Sequence, residues 1–448
     1  MAEDYLVRSA GYLDRFSEKI GDYPFAEFFV ISSPLPVGLG FPNLTYAGRR
    51  VLALPFMRGR SLAHEILHNW WGNGVYVDYQ GGNWSEGLTT YMADYALAAE
   101  RGPDAARDMR LRWLRDFAAL PADRDFPVVA FTAKTHDADQ VIGYNKVAFI
   151  FHMLEREIGA SAFTEGLRAF WKNHRFQIAG WPDLRSAFEG ASGRDLSAFF
   201  EQWLERAGAP RLHLTNATTE RETAGERVSV TVGQDLPSYR LLVPLVVETG
   251  EERVSASERL EDAKSTAVIA VDSPPRTVSV DPGYDLFRRL DPSETPPIFR
   301  SVTLDRTAVA IVAATDANAD TVARDLAMRL LGRDVRFAPL APAPDRNTPV
   351  LLIGTGPEVR EAMAALGAEP APRSLIDKGT ARAWTSRRGG EAAIAVVAAE
   401  DGKALAATLR SLPHYGRMSY LTFDDSKVID KGVWPVSANP LIHTFTAR

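Results

Sequence analysis

The sequence predicts a multidomain α+β protein, and three changes of rhythm along its 448 residues carry that expectation. Apolar residues recur at helical spacing through most of positions 1–209. They then alternate with a period of two over roughly 80 residues, in short runs separated by turn residues. Past Pro292, Pro296 and Pro297, strand-length apolar runs alternate with helical patterns, the rhythm of a layered α/β fold. The expected domains are therefore a mainly helical one over 1–209, a small β-sandwich over 210–290, and an α/β layer domain over 298–448.

Taken in order, residues 3–20 form an amphipathic pattern with Tyr5, Leu6, Leu13 and Phe16 on one side. Residues 25–32, 44–46 and 51–54 read as strands. Between them, 34–42 is punctuated by Pro34, Pro36, Gly38, Gly40 and Pro42, with little room for regular structure. Further helices are expected over 85–97, capped by Asn83 or Ser85, and over 105–120, 162–173, 181–189 and 195–204. A buried helix is expected to start close to Tyr144 and run to 154. The sandwich strands fall at 212–214, 228–232, 241–247, 267–271 and 277–280. In the last domain, strands at 308–313, 350–353, 381–385 and 392–398 alternate with helices at 319–331, 358–366 and 402–412. Gly354-Thr355-Gly356 lacks the third glycine and the acidic partner of a dinucleotide fingerprint, so it reads as a tight strand-to-helix turn. The tail from Tyr415 is expected to pack against a neighbour.

Composition narrows the function. A net charge of -6 without a long basic run argues against nucleic acid as a partner. No apolar stretch reaches the length of about 18 residues that a membrane span needs. The absence of cysteine excludes disulfides, thiolate metal ligands and a cysteine nucleophile. The first residues lack a secretory pattern, so a cytoplasmic protein is expected from the sequence as written.

The chemistry concentrates in His64-Glu65-Ile66-Leu67-His68 and Asn83-Trp84-Ser85-Glu86-Gly87. On a helix, His64 and His68 point the same way, one turn apart, and two neutral imidazoles so held make one edge of a tetrahedral zinc site. Glu65 is rotated by about 100° and instead reaches a water on the open side, where it can take a proton. Glu86, at the start of the next helix, is the best third ligand. Two histidines and one carboxylate leave a fourth position open, the pattern of a catalytic zinc. Small and apolar Leu62, Ala63, Ile66 and Leu67 surround the histidines, and a buried polar trio without a metal would be costly.

These residues resemble the M1 family of zinc metallopeptidases. The matching positions are His64, Glu65 and His68, then Trp70, Trp71, Gly72 and Asn73, and finally Glu86-Gly87. Glu86 falls eighteen residues after His68, one fewer than the family spacing. Tyr144-Asn145-Lys146-Val147 is similar to the family's Tyr-x-Lys-Gly motif, with valine for the glycine, and lies 58 residues past Glu86. The resemblance continues through Trp181-Pro182 and Phe199 to Leu204, covering about 1–290. It implies a thermolysin-like catalytic domain, one Zn2+ on His64, His68 and Glu86, Glu65 as general base, and Tyr144 as hydrogen-bond donor to the tetrahedral intermediate. Asp94 would steady a ligand histidine from behind.

Two departures are expected to matter. Family aminopeptidases grip the substrate's amino group with a glutamate upstream of the zinc helix, and 38–44, Gly-Leu-Gly-Phe-Pro-Asn-Leu, offers no acidic residue there. The β-rich domain that precedes the family's catalytic domain also has no counterpart, leaving a surface to be exposed or paired in an oligomer. The expected activity is aminopeptidase-like hydrolysis of peptides. Its rivals are an endopeptidase or an enzyme for blocked peptides, and a binding scaffold with a vestigial site. The stretch near 39–43 is expected to form an edge strand that holds a peptide backbone.

Overall fold

The computed structural model describes residues 1–35, 38–223, 225–370, 372–376, 378–388 and 392–446, with Leu39 described by its backbone alone. The architecture is mixed α+β, helix-rich in its N-terminal region and sheet-containing toward the C-terminus. The chain forms two compact units, one of residues 1–114, 125–289 and 440–448, the other of 115–124 and 290–439.

The first unit opens with helix α1 (Ala2–Ile20), which buries Tyr5, Ser9, Tyr12, Phe16 and Ile20 at intervals of three and four. Leu6, expected on that face, is 70% exposed, because the buried stripe runs through Ser9 and Tyr12 instead. A three-stranded sheet follows, with β1 (Phe29–Ser33), β2 (Gly38–Phe41) and β3 (Leu44–Gly48) in the order β1-β3-β2. β1 runs parallel to β3 and β2 antiparallel to it, so β2 is an edge. The edge strand expected near 39–43 is present as β2, while two other expectations fail here. The glycines and prolines of 34–42 do not exclude regular structure, since β3 supplies the hydrogen-bonding partner that outweighs the weak strand propensity of Gly38 and Gly40. Residues 51–54 are not a strand, as helix α2 covers Arg49–Leu52. Pro36 and Val37 lie outside the described residues.

Helices α3 (Leu62–Leu67) and α4 (Ser85–Thr89) sit deep in this unit. The tryptophans of the intervening sequence explain their approach. Trp70 meets Phe16 of α1 edge-on at 5.9 Å and donates its indole N–H to the Gly21 carbonyl at 2.9 Å. Trp71 packs edge-on against Trp84 at 6.2 Å, and neither is exposed. Trp84 precedes α4 and donates to the Ala179 carbonyl at 2.9 Å, so burying this aromatic pair draws the start of α4 against the end of α3. A further helical run begins at Asp137, with residues Val141–Lys146 wound as π-helix and Val147–Ile158 as α-helix. It therefore starts seven residues before Tyr144, contrary to the expected start there. The polar residues ahead of Tyr144 are the helix's opening turn, where the Asp139 carboxylate accepts the Thr135 and His136 N–H groups at 2.7 and 2.9 Å.

Past the helices Ala160–His174, Trp181–Ser192 and Ser197–Leu204, the unit ends in two antiparallel sheets. One pairs Leu212–Glu222 with Gly225–Gln234 and Lys264–Val271. The other orders Ile442–Thr444, Pro275–Val280, Leu241–Thr249 and Arg253–Leu260. Arg253–Leu260 has no counterpart among the expected strands, because the residues that turn inward, Val254, Ala256, Glu258 and Leu260, include a charged one and make a weak apolar alternation. The second unit holds a seven-stranded sheet. Arg336–Phe337, Val309–Ala313, Val350–Thr355 and Ala392–Ala399 run parallel, followed by antiparallel Ala381–Arg388, Tyr420–Asp424 and Lys427–Gly432. Leu351, Ile353, Ala395 and Val397 belong to one apolar cluster with Leu326, while Val350, Leu352, Ile394 and Val396 join another with Met363. A sheet covered on both faces needs apolar residues at every position, which is why these strands read as unbroken apolar runs.

Candidate metal centre

His64 Nε2 lies 3.2 Å from His68 Nε2, and Glu86 Oε2 lies 3.5 and 3.3 Å from the same two atoms. Zinc–ligand bonds of about 2.0–2.1 Å in tetrahedral geometry require ligand atoms about 3.3 Å apart. The three donors match one face of such a tetrahedron, and together they form a cluster able to hold a metal ion. Three electron-rich atoms at this separation repel one another unless a cation or a proton stands between them.

The remaining imidazole nitrogens are held from behind. His64 Nδ1 is 2.6 Å from Asp94 Oδ2, and the other Asp94 oxygen forms an ion pair with Arg60 Nε at 3.1 Å. His68 Nδ1 is 2.9 Å from the Trp71 carbonyl, which also accepts from the Ser85 hydroxyl at 2.6 Å. Donation through Nδ1 fixes the tautomer that leaves Nε2 free as a ligand. Asp94 stands eight residues past Glu86, which on a regular helix would leave them about 80° apart around the axis. Residues Thr90–Tyr95 are instead wound as π-helix, with more residues per turn, and this swings Asp94 back toward the Glu86 side.

The charge balance favours a cation. Burial opposes a charged His64, yet the carboxylates of Asp94 and Glu86 outweigh it and raise its pKa well above the ordinary value. His68 is raised likewise, against burial, chiefly by Glu86. Burial pushes Glu86 up, but the two histidines prevail and its pKa is lowered. The Tyr144 ring stacks on His64, with centroids 6.5 Å apart and planes 10° from parallel. Its phenol is pushed up by burial and then by Glu86 and Glu65, so the hydroxyl keeps its proton.

Of the residues singled out in the sequence, the structure brings His64, His68, Glu86, Asp94 and Tyr144 together, and sets Glu65 beside β2. A Cβ added to Gly40 would lie 3.0 Å from Glu65 Oε2. Asn69 has a role the sequence reading did not assign. Its side-chain oxygen accepts the Asn43 N–H at 2.8 Å while its amide donates to the Ile66 carbonyl at 2.8 Å. Asn69 thus ties the β2–β3 turn to the end of α3, which keeps Gly40 near Glu65. An asparagine directly after His68, inside an otherwise apolar stretch, was the available signal.

Residues 60–203 match the Peptidase family M1 domain. The homology is to the M1 peptidases. Bovine glutamyl aminopeptidase is 26% identical over 288 residues, covering 56% of this chain and 30% of that protein. Aminopeptidase N of Streptomyces lividans is 29% identical over 196 residues, 41% of this chain and 22% of the relative. The crystal structure of Legionella pneumophila aminopeptidase A in complex with aspartic acid shares the fold at a TM-score of 0.51 and 16% identity, over 84% of this chain and 42% of that one. The chain thus spans less than a third of these two curated relatives. The M1-like region contains all five clustered residues and Glu65. Among the described residues, no helix is long and apolar enough to cross a membrane.

Proposed function

We propose that this chain is a zinc-dependent, M1-like peptidase that hydrolyses peptide bonds with aminopeptidase-like machinery. In this reading residues 1–209 form a thermolysin-like catalytic domain, 210–290 a β-sandwich and 298–448 an α/β layer domain. The observation that carries it is the 3.2–3.5 Å triangle of His64, His68 and Glu86 inside the M1-like region. One Zn2+ on these three residues supplies Lewis-acid polarisation of the scissile carbonyl and an acidified water.

The chain's own residues do the rest. Glu65 takes the proton of the attacking water and returns it to the departing amine nitrogen. Tyr144, kept protonated by burial and by Glu86 and Glu65, donates a hydrogen bond to the carbonyl oxygen as negative charge develops there. Asp94 and the Trp71 carbonyl hold the two imidazoles in register. The edge strand β2 runs past Glu65 and offers its backbone to an extended peptide.

The test is metal analysis of the purified chain together with a peptide digest of wild type, Glu65→Gln and Tyr144→Phe. About one zinc per chain is expected in all three. Turnover should fall by about 10²–10⁴-fold in Glu65→Gln and about 10²–10³-fold in Tyr144→Phe, with much smaller changes in KM. A zinc-loaded Glu65→Gln enzyme that kept most of its activity would sink the mechanism.

A further inference from the structure

Among the described residues of β2, none carries a side chain on the side that faces the general base. Gly38 and Gly40 are two apart on a strand, so both project toward the same face. A Cβ on Gly40 would meet only Glu65 Oε2, at 3.0 Å, and a Cβ on Gly38 would meet nothing within 4 Å. At these two positions the strand therefore offers bare, uncharged backbone toward the base, with open space at Gly38 among the described residues. Backbone recognises an extended chain through N–H and C=O groups that every residue shares, and is indifferent to where that chain begins. A terminal ammonium drawn into a cleft must instead be matched by a negative partner, and neither glycine can provide one.

We infer that the site takes the interior of a peptide, cleaving substrates with a blocked or extended amino terminus as readily as those with a free one. Gly38 and Gly40 are the specificity-determining positions. This inference rests on the peptidase reading above and adds to it the class of substrate.

The experiment uses the zinc-loaded full chain and two internally quenched peptides of identical sequence, one with a free amino terminus and one acetylated. Initial rates within about threefold of each other, with cuts at internal bonds, are expected. Loss of about 100-fold or more on the acetylated peptide, with the free one trimmed residue by residue, overturns the inference and leaves the peptidase reading intact. Failure to cut either peptide overturns both. A second measurement compares Gly40→Glu with Gly40→Gln, which crowd Glu65 alike and differ in charge. The glutamate variant should favour the free-amine peptide by about tenfold relative to the glutamine variant. Equal ratios in the two variants would remove β2 from control of specificity.

Discussion

Glu86 and Glu358 occupy similar places in the two units. Each stands in the first turn of a helix, Ser85–Thr89 and Gly356–Ala365 respectively. Each has a neighbouring glycine at a point of close approach, Gly87 against Val147 and Gly354 against the Ala313 carbonyl. Both carboxylates have lowered pKa values, for different reasons. Glu358 is lowered by hydroxyl hydrogen bonds from Thr355 at 2.6 Å and Thr315 at 2.9 Å. Glu86 is lowered against the cost of burial, by two imidazoles that share one of its oxygens. Glu358 meets neutral donors and is satisfied; it closes a turn. Glu86 meets two nitrogen lone pairs that a cation must reconcile. A carboxylate at a helix start thus becomes able to hold a metal through what converges on it, and the helix start itself does not decide.

The widest gap between the two should appear when each loses its charge. Glu86→Gln is expected to weaken zinc binding by more than about 100-fold, since losing a direct ligand should exceed the 10–100-fold typical of an outer partner. Glu358→Gln should leave zinc content and turnover unchanged and alter only local stability, slightly. Zinc titration of both variants by competition with a chromophoric chelator checks this. A fall in zinc affinity in Glu358→Gln would erase the distinction.

Asp94 sharpens the comparison, because it meets His64 at Nδ1, away from the nitrogen that faces Glu86. Asp94→Asn should lower zinc affinity by about 10–100-fold. It should also move the pH dependence of binding in a defined direction. Zinc binds neutral imidazole, so protons compete, and affinity falls as the pH drops through the raised His64 pKa. Asp94 is the larger of the two carboxylate influences that raise that pKa. Without its charge the His64 pKa falls, and loss of zinc should set in at lower pH than in wild type. Zinc affinity measured across a pH series reads this, and an unshifted profile would mean that Asp94 does not couple to His64.

The legible parts of this centre were those set by spacing along one helix. His64 and His68 could be paired on paper because four residues make about one turn. Asp94 could be assigned only loosely, because its alignment with Glu86 depends on the π-helical winding of Thr90–Tyr95, and regular periodicity misplaces a residue eight positions on. Strand β2 was expected only from its place ahead of the zinc-motif helix, and its local pattern argued against it for a related reason. Its glycines and flanking prolines read locally as loop, and the partner that makes it a strand, Leu44–Gly48, contributes only after the turn at Asn43 folds back. The long apolar runs of the second unit were readable as strands because both faces of their sheet are buried. Arg253–Leu260, mostly polar and antiparallel to Leu241–Thr249, was not.

The last predicted effect on the centre is indirect and concerns the two glycines. A Cβ at Gly87 would lie 2.1 Å from Val147 Cγ1 and 2.3 Å from Val147 Cβ, on the helical run that carries Tyr144. Gly87 is what lets the third-ligand helix and the tyrosine helix approach this closely, and Val147 is wholly buried with nowhere to retreat. Gly87→Ala should therefore cost about 1–3 kcal/mol by overpacking. Because the strain is relieved by moving α4, Glu86 should leave the ligand triangle, and zinc affinity should fall along with stability. Gly354→Ala forces a Cβ to 1.7 Å from the Ala313 carbonyl, a backbone clash at least as severe. It should lower stability too, but with zinc affinity preserved in the folded protein. Thermal unfolding and zinc titration of the two variants side by side separate general overpacking from displacement of a ligand. If Gly87→Ala loses stability while binding zinc like wild type, the approach of α4 to the tyrosine helix does not set the metal geometry.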